Sequence, residues 1–198
     1  MYESHITLDS YGISIERFKE ICRIAKVKSL WIENDSGSDY LVQPMSKCFY
    51  QDTFAGTFIK VQRTKNLFES YGLKVIRVKI EEIIRPNEAR KDEQEILYRE
   101  FHSKFHVPLD SKEKFLYIVG SYGAHTATNS LKSPDYFFVT TRDEKLHSDL
   151  VKELETVGFK RTNSIKEYVV YDSNPQIDTK WAKPEGCYEC PLKPITLN

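Results

Sequence analysis

Hydrophobic and polar residues alternate along several short segments of the chain, which is the pattern of half-buried strands. Between these segments, apolar residues recur at three- and four-residue spacing, which indicates amphipathic helices. Residues 1–84 predict the order strand, helix, strand, strand, helix, strand, and residues 102–173 predict the same order. The closing stretches ESYGLK (69–74) and ETVGFK (155–160) are also alike. The chain therefore predicts an internal duplication.

A βαββαβ unit is the ferredoxin-like pattern, in which both helices cover one face of an antiparallel sheet. Each unit leaves the other face of its sheet uncovered. The predicted fold class is therefore α+β, with two ferredoxin-like βαββαβ halves packed around a shared cleft. The predicted division of the chain is a first half, a charged linker, a second half and a C-terminal tail (1–84, 85–101, 102–173 and 174–198).

Each half begins with a predicted strand that carries a histidine. The segment ESHITLD (3–9) is similar to KFHVPLD (104–110), so His5 and His106 occupy matching points. Successive strand side chains face opposite sides of a sheet. Both imidazoles are therefore predicted to leave the helix-free faces and to meet across the cleft. We predict that they are a catalytic acid and base, because histidine titrates near neutral pH.

Polar residues on the same faces form a candidate anion site. The alternation places Thr7 and Arg77 on the face of His5, and Arg142 on a strand of the second half, while His125 opens a neighbouring strand. Guanidinium and other hydrogen-bonding groups bind phosphate well. Thr7, Arg77, His125 and Arg142 are accordingly the predicted substrate-binding residues. This predicted site uses no metal ligand and no cofactor.

The doubled fold with a His-x-Thr element resembles the 2H phosphoesterase superfamily, which includes RNA 2',3'-cyclic phosphodiesterases and 2'-5' RNA ligase-like proteins. His5 and Thr7 match the first motif, whereas the second has Pro108 in place of the threonine. In that family the histidines act as acid and base and the threonines bind phosphate. The resemblance implies a phosphoesterase that acts on a nucleotide or another small phosphate ester, with RNA as a further candidate ligand.

Two other functions stay open from the same residues. His5 and His106 with Glu81 or Glu167 would supply two histidines and one carboxylate, a common ligand set in metal-dependent enzymes. Alternatively, sheet-face aromatic residues such as Phe138 could stack bases in a non-catalytic module that binds nucleotides, RNA or protein.

Composition limits the partners and the compartment. Lysine plus arginine and aspartate plus glutamate both number 29, so a net charge of zero gives no general attraction to nucleic acid or membranes. We see neither a signal peptide nor an apolar run of the roughly 20 residues that a membrane span needs. With four cysteines, the chain is predicted to be cytoplasmic, with reduced thiols. Cys187 and Cys190 form a C-x-x-C pair in a tail predicted to be loose, and the oligomeric state stays open.

Overall fold

The computed structural model describes residues 1–35, 40–84, 94–178 and 182 of the 198-residue chain. Within these ranges, the strands and α-helices follow the order βαββαβ and then repeat it. The strands are β1 (Tyr2–Leu8), β2 (Lys28–Asn34), β3 (Val42–Tyr50), β4 (Val75–Glu82), β5 (Tyr98–His106), β6 (His125–Asn129), β7 (Tyr136–Thr141) and β8 (Lys160–Asp172). The α-helices are α1 (Ile15–Ile24), α2 (Phe54–Ser70), α3 (Lys112–Ser121) and α4 (Glu144–Thr156).

The strands of both halves join in one closed antiparallel barrel, in the order β1-β3-β2-β6-β7-β5-β8-β4. Two seams connect the halves: β2 pairs with β6, and β4 pairs with β8. The order of elements was predicted, but the fold class of two ferredoxin-like halves around a shared cleft is wrong. Side-chain alternation specifies the two faces of a strand, whereas barrel closure depends on which distant strand edges pair.

The start of the second half also differs from the sequence prediction. β5 begins at Tyr98, inside the segment assigned to the linker, and ends at His106. The PLD of the predicted strand KFHVPLD therefore lies beyond the strand, where Leu109–Ser111 form a 3-10 turn. Linker residues 85–93 and the cysteines of the C-x-x-C pair lie outside the described residues.

The apolar side chains of the strands pack under the helices in two separate clusters. Ile6 of β1 and Val78 of β4 belong to the same cluster as Phe18 of α1. Phe105 of β5 belongs to the other cluster, with Leu150 of α4. Alternation therefore turns the intervening side chains of these strands toward the inside of the barrel. This assignment of faces agrees with the sequence prediction. None of the described helices combines the length and the apolar character needed to cross a membrane.

Helix α1 begins after Ser14, whose hydroxyl accepts a hydrogen bond of 3.2 Å from the backbone N–H of Arg17. Replacing Ser14 with alanine is expected to lower the free energy of unfolding by about 1 kcal/mol, because that N–H loses its partner. Urea denaturation measures the loss. Ser14→Asp keeps an acceptor at the same position and should stay close to the wild type. Equal stability of the alanine and wild-type proteins would contradict the assignment of Ser14 as a stabilising cap.

Candidate functional site

Charged side chains fill the inside of the barrel along β1, β4, β5 and β8. Burying a charge is costly unless the charge is paired. The way these groups are paired therefore determines what the interior can do. The buried charged residues on these strands are Glu3, Arg77, Lys79, Glu81, Glu82, Glu100 and Glu167, each at most 9% exposed.

Glu3, His5 and Glu81 converge in what we call cluster 1. Glu3 lies directly opposite Glu81 in the pairing of β1 with β4, and His5 is on the same face of β1 two residues later. The His5 Nε2 atom lies 2.8 Å from Glu3 Oε1 and 3.1 Å from Glu81 Oε2. The other ring nitrogen, Nδ1, lies 3.1 Å from the sulfur of Met45. One imidazole nitrogen therefore faces two carboxylates.

Glu100, His102 and Glu167 form cluster 2 in the same way. Glu100 lies opposite Glu167 in the pairing of β5 with β8. The His102 Nε2 atom lies 2.9 Å from Glu167 Oε2 and 3.5 Å from Glu100 Oε2. The His102 Nδ1 atom makes a 2.8 Å hydrogen bond with the hydroxyl of Thr140. In each cluster, the three candidate ligand atoms all lie within 4.8 Å of one another.

The two clusters occupy corresponding positions of the internal repeat. Each histidine follows a glutamate by two residues, and that glutamate pairs with a glutamate on the last strand of its half. The structural counterpart of His5 is therefore His102, not His106. A sequence signal for this existed: Glu-x-His occurs at 3–5 and again at 100–102. The comparison of ESHITLD with KFHVPLD missed it by four residues.

The carboxylates set the protonation of both imidazoles. Burial alone would lower the pKa of His5, but the charge of Glu81 and the contact with Glu3 outweigh it and raise that pKa to about 9. Burial would also lower the pKa of His102, but the charge of Glu167 and the contact with Glu100 outweigh it and raise that pKa to about 10. Without another cation on Nε2, both rings are therefore imidazolium ions at neutral pH.

Several atoms of the clusters are incompletely satisfied. Glu3 Oε1, both carboxylate oxygens of Glu81 and His102 Nε2 are buried and lack a hydrogen bond of acceptable geometry within the described residues. Their ion-pair contacts persist, but one ring N–H cannot point at two carboxylates at once. Atoms bound to one ion at about 2.0–2.2 Å stand roughly 3.0–3.5 Å apart. The Nε2–oxygen distances of 3.1 and 3.5 Å fall within that range, and those of 2.8 and 2.9 Å lie just below it.

Lysine side chains also contact the clusters. The Lys79 ammonium lies 2.6 Å from Glu81 Oε1 in cluster 1 and 2.7 Å from Glu100 Oε2 in cluster 2. Lys47 of β3 forms an ion pair with Glu3 of cluster 1. Lys79 thus connects the two clusters, whereas the described ion pair of Lys47 is confined to one of them.

The arginines predicted to bind phosphate are neutralised by carboxylates. Arg77 Nη2 lies 2.6 Å from Asp172 Oδ2 and 2.8 Å from Asp178 Oδ2. Arg142 Nη2 lies 3.1 Å from the same Asp178 oxygen and 3.3 Å from Glu100 Oε1. The structure does bring the two arginines together, but around acidic side chains.

Thr7 lies opposite Arg77 in the pairing of β1 with β4, whereas His125 and His106 belong to other strands. The Thr7 hydroxyl is buried and has no hydrogen-bond partner among the described residues. The His125 Nε2 atom lies 3.0 Å from Asn34 Oδ1, where β6 meets β2. His106 is half-buried at the end of β5, and its ring contacts that of Tyr136 at a centroid distance of 5.4 Å. His5 and His106 thus have different neighbours among the described contacts, and their joint action on one ligand stays a prediction.

The fold and the interior define a closed antiparallel α+β barrel of two repeated units with an equivalent glutamate–histidine cluster in each. No protein-family model and no curated protein matches the sequence. A protein assigned as a monooxygenase from Lactobacillus acidophilus NCFM is a similar solved structure, with 13% identity, coverage of 86% of this chain and 94% of its own, and a TM-score of 0.32. A chlorite dismutase variant from Candidatus Nitrospira defluvii, in complex with cyanide, is 9% identical, with coverage of 92% of this chain and 93% of its own and a TM-score of 0.31. The siroheme decarboxylase NirDL is 10% identical, with coverage of 86% of this chain and 72% of its own and a TM-score of 0.30.

These findings correct the functional prediction. The strands form one closed barrel and not two sheets packed around a cleft, which is the architecture that the resemblance to 2H phosphoesterases requires, so that resemblance is wrong. The interior argues in the same direction, because His5 stands between two carboxylates that would repel a phosphate group. The prediction of a paired-histidine hydrolase acting on phosphate esters is therefore wrong. Identities near 10% with TM-scores near 0.3 do not transfer an activity from those proteins to this chain.

Proposed function

We propose that this protein binds a divalent transition-metal ion, such as zinc or ferrous iron, in each of the two clusters. The observation that carries the proposal is the repetition of one ligand set, two glutamates and a histidine, at corresponding positions in both halves. An ion pair needs one carboxylate for each imidazolium, whereas a divalent ion needs two carboxylates for neutrality. Both clusters supply two, and without a metal ion Lys79 contacts one carboxylate of each cluster beside the imidazolium.

The chemistry of the donor atoms fits such an ion. Imidazole nitrogen with carboxylate oxygen suits zinc, iron and manganese. Metal-bound histidines usually donate their second ring N–H to a neighbour, which fixes the ring orientation. His102 Nδ1 contacts the Thr140 hydroxyl, and His5 Nδ1 contacts the Met45 sulfur. In both clusters Nε2 is therefore the nitrogen left to bind the ion, and three protein ligands leave a position for water or another small ligand.

The metal content of the purified full-length chain tests the proposal. After saturation with zinc and removal of the excess, elemental analysis should find two ions per chain, one for each cluster. His5→Gln and His102→Gln should each reduce the content by one ion, and the double variant should bind none. His106→Gln is the matched control, because His106 lies outside both clusters, and it should keep both ions.

X-ray absorption at the zinc edge supplies a measurement on the unmodified protein, which covers the case in which a histidine variant does not fold. The expected environment is one imidazole with oxygen ligands and no sulfur. Sulfur ligands would assign the zinc to cysteines, for example those of the C-x-x-C pair. That result, a metal-free wild type, or retention of both ions by the double variant would overturn the proposal.

A further inference from the structure

Lys79 contacts one carboxylate of each cluster. Its ammonium stands 2.6 Å from Glu81 Oε1 and 2.7 Å from Glu100 Oε2, and its side chain is nearly buried. Its position on β4 follows from the strand register, since it lies opposite His5 and two residues before Glu81. A buried ammonium cannot exchange its carboxylate partners for water without cost. A change in the charge of either carboxylate is therefore felt at the other through Lys79.

We propose that Lys79 couples the two metal centres, so that an ion bound in one cluster weakens the binding of an ion in the other. This inference rests on the proposed metal-binding function. It assigns to Lys79 the role of a shared internal cation, which balances Glu81 and Glu100 when neither cluster holds an ion. Lys79 is a positioning residue and not a metal ligand, because an ammonium has no lone pair to offer.

The sign of the coupling follows from competition for the two carboxylates. An ion in cluster 1 takes the charge of Glu81, and Lys79 then has Glu100 as its remaining carboxylate partner. A second ion must compete with that ammonium for Glu100. The same argument holds in the opposite order, as thermodynamic reciprocity requires.

Direct repulsion between the two ions contributes less to the coupling. Each loaded cluster contains two carboxylates, one neutral imidazole and one divalent ion, and its formal charge is zero. Two neutral centres repel weakly, whereas the ammonium stays buried between them after both carboxylates have been taken up by ions. The coupling should therefore depend on Lys79 more than on the separation of the ions.

Stepwise zinc affinities, measured against a chromophoric chelator, test the inference. His102→Gln leaves cluster 1 and gives its intrinsic affinity, and His5→Gln does the same for cluster 2. Independent sites would reproduce these two affinities in the wild type. Coupling predicts that the second ion binds the wild type about 10-fold more weakly than the weaker intrinsic affinity.

Lys79→Met should abolish this gap between the second stepwise affinity and the weaker intrinsic affinity. In the Lys79→Met background, the stepwise and intrinsic affinities should agree within about twofold, as for independent sites, and both clusters should bind zinc more tightly. If this variant is recovered only in the presence of zinc, the rates at which its two ions pass to a chelator replace the equilibrium measurement. Two rates that match those of the single-cluster variants in the same background would support the inference.

Lys47→Met is the matched control, because it removes a lysine that forms an ion pair with cluster 1 alone. It should tighten cluster 1 and leave the gap of about 10-fold in place. The inference is overturned if the wild type shows no gap, or if Lys79→Met retains it while zinc still binds at two ions per chain. A wild type that binds no zinc gives a different result, since it removes the proposed function and the coupling together.

Discussion

Replacing Arg77 with methionine is expected to lower the free energy of unfolding by about 3–5 kcal/mol, the cost of breaking a buried ion pair from one side. The guanidinium is 4% exposed and contacts Asp172, Asp178 and the hydroxyl of Tyr98. Methionine fills similar space without charge, so the acidic groups lose their cation while they stay inside the barrel. Arg142 still contacts Asp178, so Asp178 keeps an arginine partner while Asp172 loses its contact with Arg77.

Urea denaturation measures the effect, and two further variants show its origin. Arg23→Met removes an exposed arginine paired with Glu20, and its stability should stay close to that of the wild type. Adding Asp172→Asn to Arg77→Met should recover part of the loss, because an amide is cheaper to bury than an unpaired carboxylate. Similar losses for the two arginine variants would show that the buried network contributes no more than a surface pair.

Raising the pH from about 6.5 to about 10 is expected to destabilise the metal-free protein by several kcal/mol. The folded-state pKa values of His5 and His102, about 9 and about 10, lie above the unfolded value of about 6.5. A histidine with a raised pKa stabilises the fold fully below its unfolded pKa. That contribution is lost as the pH rises through the folded pKa, and two histidines lose it together here.

Denaturation at a series of pH values, after treatment with a chelator, measures how the free energy of unfolding changes with pH. The zinc-loaded protein should show a smaller alkaline loss, because the metal replaces the imidazole proton at each ring. His147 acts in the opposite direction. Burial lowers its pKa to about 4, so its contribution is present above pH 6.5 and falls at lower pH. A metal-free protein whose stability stays constant between pH 6.5 and 10 would contradict the raised pKa values.

The sequence predicted local structure well because local structure depends on short-range patterns. Alternation placed Ile6, Val78 and Phe105 under helices and turned His5 and Arg77 to the other face, as the structure shows. Ser14 caps α1 and Gly72 adopts a positive φ after α2, and both features are equally local. These features need only the residue and its near neighbours.

The candidate site depended on information that lies far apart in the chain. Glu3 meets Glu81 and Glu100 meets Glu167 only because their strands pair in register. The apparent match of His106 to His5 came from a Leu-Asp ending that folds into a 3-10 turn. A search for repeated carboxylate–histidine spacing would have found the correct counterpart, although not the barrel that buries it.

Each half of the chain supplies a full set of candidate ligands, whereas Lys79, which contacts both clusters, belongs to the first half. The residue paired with His102 at the position that Lys79 occupies opposite His5 is Ile165. In a dimer of two identical subunits this lysine would occur twice. Two halves of one polypeptide are free of that constraint, because each half can have its own residue at this position. The asymmetry at a single position is thus the feature that a single polypeptide permits and a symmetric dimer forbids.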